Sequence, residues 1–311
     1  MAPQSLKSES IVDGVLPVDK EEGETSFGAV RRVRQILGAR KAGHAGTLDP
    51  FATGLLLILL GQGTKLSPFL MSGRKRYVAA LRLGVETDTL DLTGRVVRTR
   101  PVPVLDPEEV REKARLFLGD VEQAPPSFSA VKHEGRRAYA LARQGVFVAL
   151  KKRTVTIHRL EVLSIEVPDL TLLVECSGGT YIRSLAADLG EALGAGAHLR
   201  ALRRLASGAL SVDEAVSMTH LHREGAGAEL QGRIISLKDS LPEIRELPVD
   251  DKGAGRIRNG YQPRLDELAA NGSLGAGPLK LVTGPELVAM AEVIECRDGA
   301  RKELRILRVF H

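Results

Sequence analysis

Six consecutive aliphatic residues, Leu55 to Leu60 (LLLILL), constrain this chain more than any other feature. A run with no polar side to give to water must be covered on every face, whether it forms a strand or a segment of helix. It is far too short to cross a bilayer, which takes about 20 apolar residues. The opening MAPQSLKSES lacks the apolar stretch of an export signal, so a cytoplasmic protein is expected. The 311 residues allow about two domains, and a core of that size needs no disulfide or metal to hold it. The two cysteines, Cys176 and Cys296, belong to no metal-binding or redox spacing and read as buried free thiols.

Elements can be placed around that run. Ile11 to Val18 reads as a short strand. Thr25 or Ser26 caps a helix that Gly38 ends, with Phe27, Val30, Val33 and Leu37 expected on its buried face. Thr64 to Met71 reads as a short helix. Lys75 to Gly84 alternates as a strand with Tyr77, Ala79, Leu81 and Leu83 on one side. Asp106-Pro107 starts another helix. Arg153 to Cys176 holds two β-rich stretches, and Thr180 to Leu193 is the clearest amphipathic helix. Leu279 to Val282, Leu287 to Ile294 and Leu304 to Phe310 are strand-like. The fold class is therefore α+β. The expected divisions are a tail over 1–10, a catalytic body over 11–244 and a small β-rich unit over 245–311.

The net charge of +5 is too small to name a partner, but its distribution is informative. Between Lys132 and Arg159, eight basic residues stand against Glu134 alone, a local charge of +7 that exceeds that of the whole chain. Such a concentration suits a surface that tracks phosphates. Arg31, Arg32, Arg34, Arg40 and Lys41 form a second basic run without an acid, which taken alone is an ordinary solvated helix face. From Arg245 onward the chain is nearly neutral.

Phosphate-loop, zinc-protease and serine-hydrolase signatures are absent. The chemistry-bearing candidate is a glycine-rich loop, Gly43 to Gly54 (GHAGTLDPFATG), in which Pro50 pushes Asp49 out of helical conformation and presents its carboxylate. An isolated Asp-Pro pair would be a turn. The whole string, however, resembles the catalytic motif of the TruB family of tRNA pseudouridine synthases. The resemblance continues through Val18-Asp19-Lys20 with Gly23 and Thr25-Ser26, Arg76-Tyr77, Gly84 to Thr89 (GVETDT), Gly178 to Arg183 (GGTYIR), Gly196 to Leu199 (GAHL) and Leu202 to Leu205 (LRRL). The tail, best over Gly284 to Val293, is similar to a PUA domain.

The resemblance implies a pseudouridine synthase fold, a mixed and mainly antiparallel sheet with flanking helices, followed by the PUA-like unit. It makes Asp49 the essential carboxylate, Arg183 its ionic partner and Tyr77 the aromatic that stacks on an extruded base. Tyr181, Leu202 and His44 fall on positions that contact the flipped nucleotide, and Lys20 on a motif lysine that is structural or positions RNA. Arg136, Arg137, Lys151 and Lys152 are the expected phosphate contacts. The implied activity is isomerisation of uridine at position 55 in the tRNA T-loop by a monomer, without metal or cofactor and with the tRNA T-arm as partner. Two other readings share these residues: a tRNA-folding chaperone with a vestigial site, and a guide-RNA-dependent relative acting on rRNA. Glu21-Glu22 stand where the family usually has a proline, which bears on the stiffness of that turn.

Overall fold

In the computed structural model the described residues are 12–129, 131–146, 148, 150–222, 225–268, 274–295 and 302–311. The expected tail over 1–10 and Cys296 lie outside them. The chain runs β1 (Gly14–Lys20), α1 (Ser26–Leu37), β2 (Ala42–His44), β3 (Thr53–Leu60), α2 (Ser67–Ser72), β4 (Lys75–Leu83), β5 (Val85–Thr87), β6 (Val96–Thr99) and α3 (Pro107–Arg115). It continues with β7 (Gly119–Gln123), β8 (Lys132–His133), β9 (Arg136–Arg137), α4 (Ala138–Ala142), β10 (Arg153–Glu166), β11 (Asp169–Cys176), α5 (Ile182–Ala192), β12 (Ala197–Ser207), β13 (Leu210–Ser211) and β14 (Val216–Ser217). The last elements are α6 (Ala226–Gly232), β15 (Arg245–Pro248), α7 (Asp251–Arg258), α8 (Leu265–Leu268), β16 (Gly277–Thr283), β17 (Glu286–Glu295) and β18 (Lys302–Val309).

Among the described residues the larger sheet has ten strands in the order β14-β1-β3-β12-β4-β11-β10-β7, with β2 on β3 and β13 on β12. Its pairings are antiparallel except β1 with β14 and β3 with β12. The second sheet is β15-β16-β17-β18. The aliphatic run is a strand, and its two faces explain its composition. Leu56, Ile58 and Leu60 enter the core shared with Val30 and Val33 of α1 and Leu185 and Leu189 of α5. Leu55, Leu57 and Leu59 enter a second core with Val282, Leu287, Met290 and Phe310 of the C-terminal segment. A strand covered on both sides has no reason to alternate. Arg245 opens the C-terminal sheet where a new unit is expected, yet that sheet shares a core with β3 instead of standing apart.

Local sequence signals set the helix ends. Thr25 accepts from the Gly28 N–H and Gly38 closes α1 at φ +63°. Asp106 accepts from the Glu108 and Glu109 N–H groups to start α3. One expectation on α1 fails. Ser26, Ala29, Val30, Val33 and Leu37 make the buried face, whereas Phe27 is 70% exposed. At about 100° per residue it stands a quarter-turn from Ser26, outside the apolar arc.

Candidate active site

The Asp49 loop is anchored on both sides of the aspartate. On one side the buried Ser26 hydroxyl donates to the Leu48 carbonyl and accepts from the Leu48 N–H, both at 2.9 Å. On the other, the Pro50 carbonyl accepts from the Gly23 N–H at 2.8 Å and from Lys20 Nζ at 3.2 Å. Gly54, at φ +96°, lets the loop return beside β12, because a Cβ there would lie 2.3 Å from the Arg204 carbonyl oxygen. Arg204, 1% exposed, donates to the Leu55 and Gly46 carbonyls and so ties β12 to both ends of the loop. Ser26→Ala should leave the Leu48 amide groups without their partner, at a cost of about 1–3 kcal/mol. The expected result is a lowered melting temperature together with reduced kcat on tRNA and little change in tRNA affinity.

Arg183, from the first turn of α5, is the centre of the site. The residue is 7% exposed, and its guanidinium faces two carboxylates and two carbonyls. Nε meets Asp49 Oδ2 at 3.1 Å and Nη2 reaches Asp49 Oδ1 at 3.5 Å. Nη1 donates to Asp91 Oδ2 and the Thr89 carbonyl, both at 3.1 Å, while Nη2 also donates to the Phe128 carbonyl at 3.0 Å. A two-pronged grip of this kind orients a carboxylate as well as attracting it. Asp91, 3% exposed, is held in turn by the Thr89 and Thr93 hydroxyls and the Thr93 N–H. One cation therefore faces two carboxylates. Asp49 keeps a third of its side chain open to solvent, and its pKa is raised above the ordinary aspartate value. Burial is the main cause; Arg183 opposes it, Asp91 adds to it, and Lys20 opposes it more weakly.

The other expected site residues divide. Tyr77, 8% exposed on β4, pairs across to Arg204 and Val174. Burial raises its phenol, with Arg204 the largest opposing charge, and the ring shares a core with Leu48, Phe51 and Ala52 of the Asp49 loop. Leu202, 9% exposed, lies in the same core. The buried Nδ1 of His44 has no partner among the described residues, and burial followed by Arg204 lowers its pKa. Tyr181 caps α5, with Arg153 over its ring at 5.0 Å and on its hydroxyl at 3.2 Å.

Lys20, expected among the substrate-binding residues, is fully buried. Its ammonium donates to the Glu21, Glu24 and Pro50 carbonyls, so no proton is left for a nucleotide. Burial lowers it to about 8, against the pull of Glu24 and Asp49. The Lys20 hydrogen bonds tie the turn through Glu21 and Glu24 to the Pro50 carbonyl of the Asp49 loop. Arg136 is exposed and donates to Gln144; Lys151 and Lys152 are exposed, and the Arg137 side chain lies outside the described residues.

Three residues of the arrangement are not singled out by sequence. Asp91 could have been found from the threonines two positions to each side, which suit a buried carboxylate. Arg204 sits in the LRRL string. Gln123 leaves no local signal: its carboxamide accepts from the Tyr181 N–H at 2.7 Å and donates to the Tyr181 carbonyl at 2.9 Å across 58 residues.

A mainly antiparallel sheet carrying a gripped, partly exposed aspartate is the frame of the site, and the family comparisons place this frame among the pseudouridine synthases. Residues 34–182 match the TruB family pseudouridylate synthase N-terminal domain, and residues 183–238 the tRNA pseudouridylate synthase B C-terminal domain. The chain is 43% identical to tRNA pseudouridine synthase B of Syntrophus aciditrophicus, over 96% of this chain and 99% of that one. It is 42% identical to the protein of the same name in Geobacter sulfurreducens, over 96% and 100%. The chain belongs to the TruB family, and its reaction is the isomerisation of uridine to pseudouridine in tRNA. In structure it resembles the chain solved in a Cbf5–Nop10–Gar1 complex, at TM-score 0.74 and 25% identity, over 97% of this chain and 85% of that one. Among the described residues no helix is long and apolar enough to cross a membrane.

Proposed function

We propose that the protein converts uridine 55 of the tRNA T-loop, with Asp49 as the carboxylate that starts the reaction. The observation that carries this reading is the Asp49–Arg183–Asp91 arrangement, in which Asp49 is gripped by a buried guanidinium and still left a third open to solvent. The isomerisation breaks the bond from N1 to C1′ and forms one from C5 to C1′; the C5 proton leaves and N1 gains one. The atoms balance within the substrate, so a single enzyme carboxylate acting at the base or the sugar suffices. Tyr77, Leu202 and Tyr181 line the space for the detached uracil, and the unpartnered His44 nitrogen is a hydrogen-bond group ready for the flipped nucleotide. Taking a base out of a folded arm costs a few kcal/mol. Arg136, Arg137, Lys151 and Lys152 compensate through phosphate contacts, and residues 245–311 act as a PUA-like RNA-binding unit beside the catalytic body over 11–244. The protein works as a cytoplasmic monomer.

The test is unmodified tRNA transcript with purified protein and nothing else, read by carbodiimide labelling and primer extension. Pseudouridine at position 55 is expected. Activity only after a guide RNA or accessory protein is added, or tRNA binding with no turnover, would defeat this reading. The pH dependence gives a second check. Because the Asp49 pKa is raised in the free protein, the ionised form is lost as pH falls through a midpoint above 3.8, and kcat/KM should fall with unit slope there. Asp91→Asn removes a neighbouring negative charge and should move that midpoint to lower pH, whatever it does to the rate at the plateau. A midpoint unmoved or raised in this variant would mean that the limb does not report Asp49.

A further inference from the structure

We propose that the solvent face of α1, built from Phe27, Arg31 and Arg34, is a docking ridge for the substrate RNA outside the flipped nucleotide, with a base stacked on Phe27 and phosphates on the two arginines. The proposal rests on the tRNA activity assigned above and extends it to a surface that the Asp49 pocket does not include.

Positions 27, 31 and 34 are spaced i, i+4, i+7 and form one exposed stripe along the helix, flanking the buried arc of Ser26, Ala29, Val30, Val33 and Leu37. The rise from Phe27 to Arg31 is about 6 Å and from Arg31 to Arg34 about 4.5 Å, so long side chains on these positions can follow neighbouring phosphates of one strand. Phe27 alone would mean little, since single exposed apolar side chains are common. Its setting gives it weight: a ring 70% exposed contributes little to the core, and the two arginines beside it are exposed and make no ion pair with a described residue. The acid closest in sequence, Glu24, is already held by Arg32 at 3.0 Å on another flank of the helix. Arg40 and Lys41, also exposed, extend the positive charge past the helix end. An unneutralised basic stripe with a free aromatic at one end is complementary to a polyanion with stacking bases, and to neither a lipid surface nor an acidic peptide as closely.

Location connects the stripe to the reaction. Phe27 directly follows Ser26, whose hydroxyl holds both backbone groups of Leu48, the residue before Asp49. RNA whose target base enters the Asp49 pocket therefore passes close to the N-terminal end of the ridge.

Equilibrium binding of unmodified tRNA transcript by the full chain, measured by fluorescence anisotropy over a range of salt, tests this. Phe27→Ala should raise Kd about tenfold and leave the salt dependence unchanged, as loss of one stacked base would. The pair Arg31→Glu with Arg34→Glu should raise Kd more than about 30-fold near 100 mM salt and reduce the slope of log Kd against log salt by about 1.5 to 2. The pair Arg111→Glu with Arg115→Glu, an equal charge change on exposed positions of α3, should leave both quantities near wild type. At saturating tRNA the α1 variants should keep kcat within about twofold, because none touches the Asp49 pocket. Wild-type Kd and slope in the α1 variants, or an equal loss in the α3 pair, would overturn the proposal. Since binding is read without turnover, a wild-type chain that bound tRNA and showed this pattern but made no pseudouridine would count against the assigned reaction and still support the ridge.

Discussion

Asp49→Asn should lower pseudouridine formation by about 10⁴-fold or more while changing tRNA affinity by no more than a few-fold. Asparagine keeps the shape of the side chain and can still accept from Arg183, so the loop held by Ser26, Gly23 and Lys20 has no cause to move. What disappears is the charge. Burial raises the Asp49 pKa, which means that the fold disfavours the ionised form compared with the unfolded chain. A neutral side chain at this position should therefore leave the melting temperature unchanged or slightly higher at neutral pH. Single-turnover assays, filter binding and thermal denaturation check the three parts. A variant that loses binding or stability in step with activity would place Asp49 in the architecture and not in the chemistry.

Arg183→Gln should be more damaging to the fold and nearly as damaging to the rate. Removing the guanidinium leaves Asp91, 3% exposed, and Asp49 facing each other without the cation between them, and frees the Thr89 and Phe128 carbonyls. Breaking a buried ion pair from one side costs about 3–5 kcal/mol. Arg183 is also the largest influence holding the Asp49 pKa down, so in its absence the acidic limb of the rate profile should move to higher pH. Arg183→Lys keeps the charge with three donors in place of five and no planar fork; it should recover part of the stability and bring the limb back toward wild type while the rate stays low. Equal melting temperatures for the two variants, or a limb that does not move, would contradict a positioning role through Asp49.

Much of the scaffold can be read in one dimension because its signals are local. The Thr25 cap, the Gly38 stop, the alternation of Lys75 to Leu83 and the periodicity of α5 each follow from residues within a turn or two of one another. Phe27 shows the limit of that reading, since spacing alone does not define which arc of α1 meets the sheet. Asp49, Arg183 and Tyr77 are found through strings of neighbours, and the structure brings all three to one place from β4, α5 and the loop before β3. Lys20 is found the same way but is placed differently: three carbonyl acceptors, one of them 30 residues away, consume its protons.

The amino-acid sequence by itself determined that Leu55 to Leu60 must be enclosed, that positive charge gathers at 132–159, and that a presented aspartate follows a glycine-rich turn. These are consequences of composition and of short-range sterics. Only the tertiary structure decided that the aliphatic strand is shared by two cores, that Asp91 stands across Arg183 from Asp49, and that Gln123 clamps Tyr181. Each of these is a contact between segments far apart in the chain, whose energy comes from burial that no single segment can achieve alone. The balance that raises the Asp49 pKa, burial and Asp91 against Arg183 and Lys20, exists only once those segments have met.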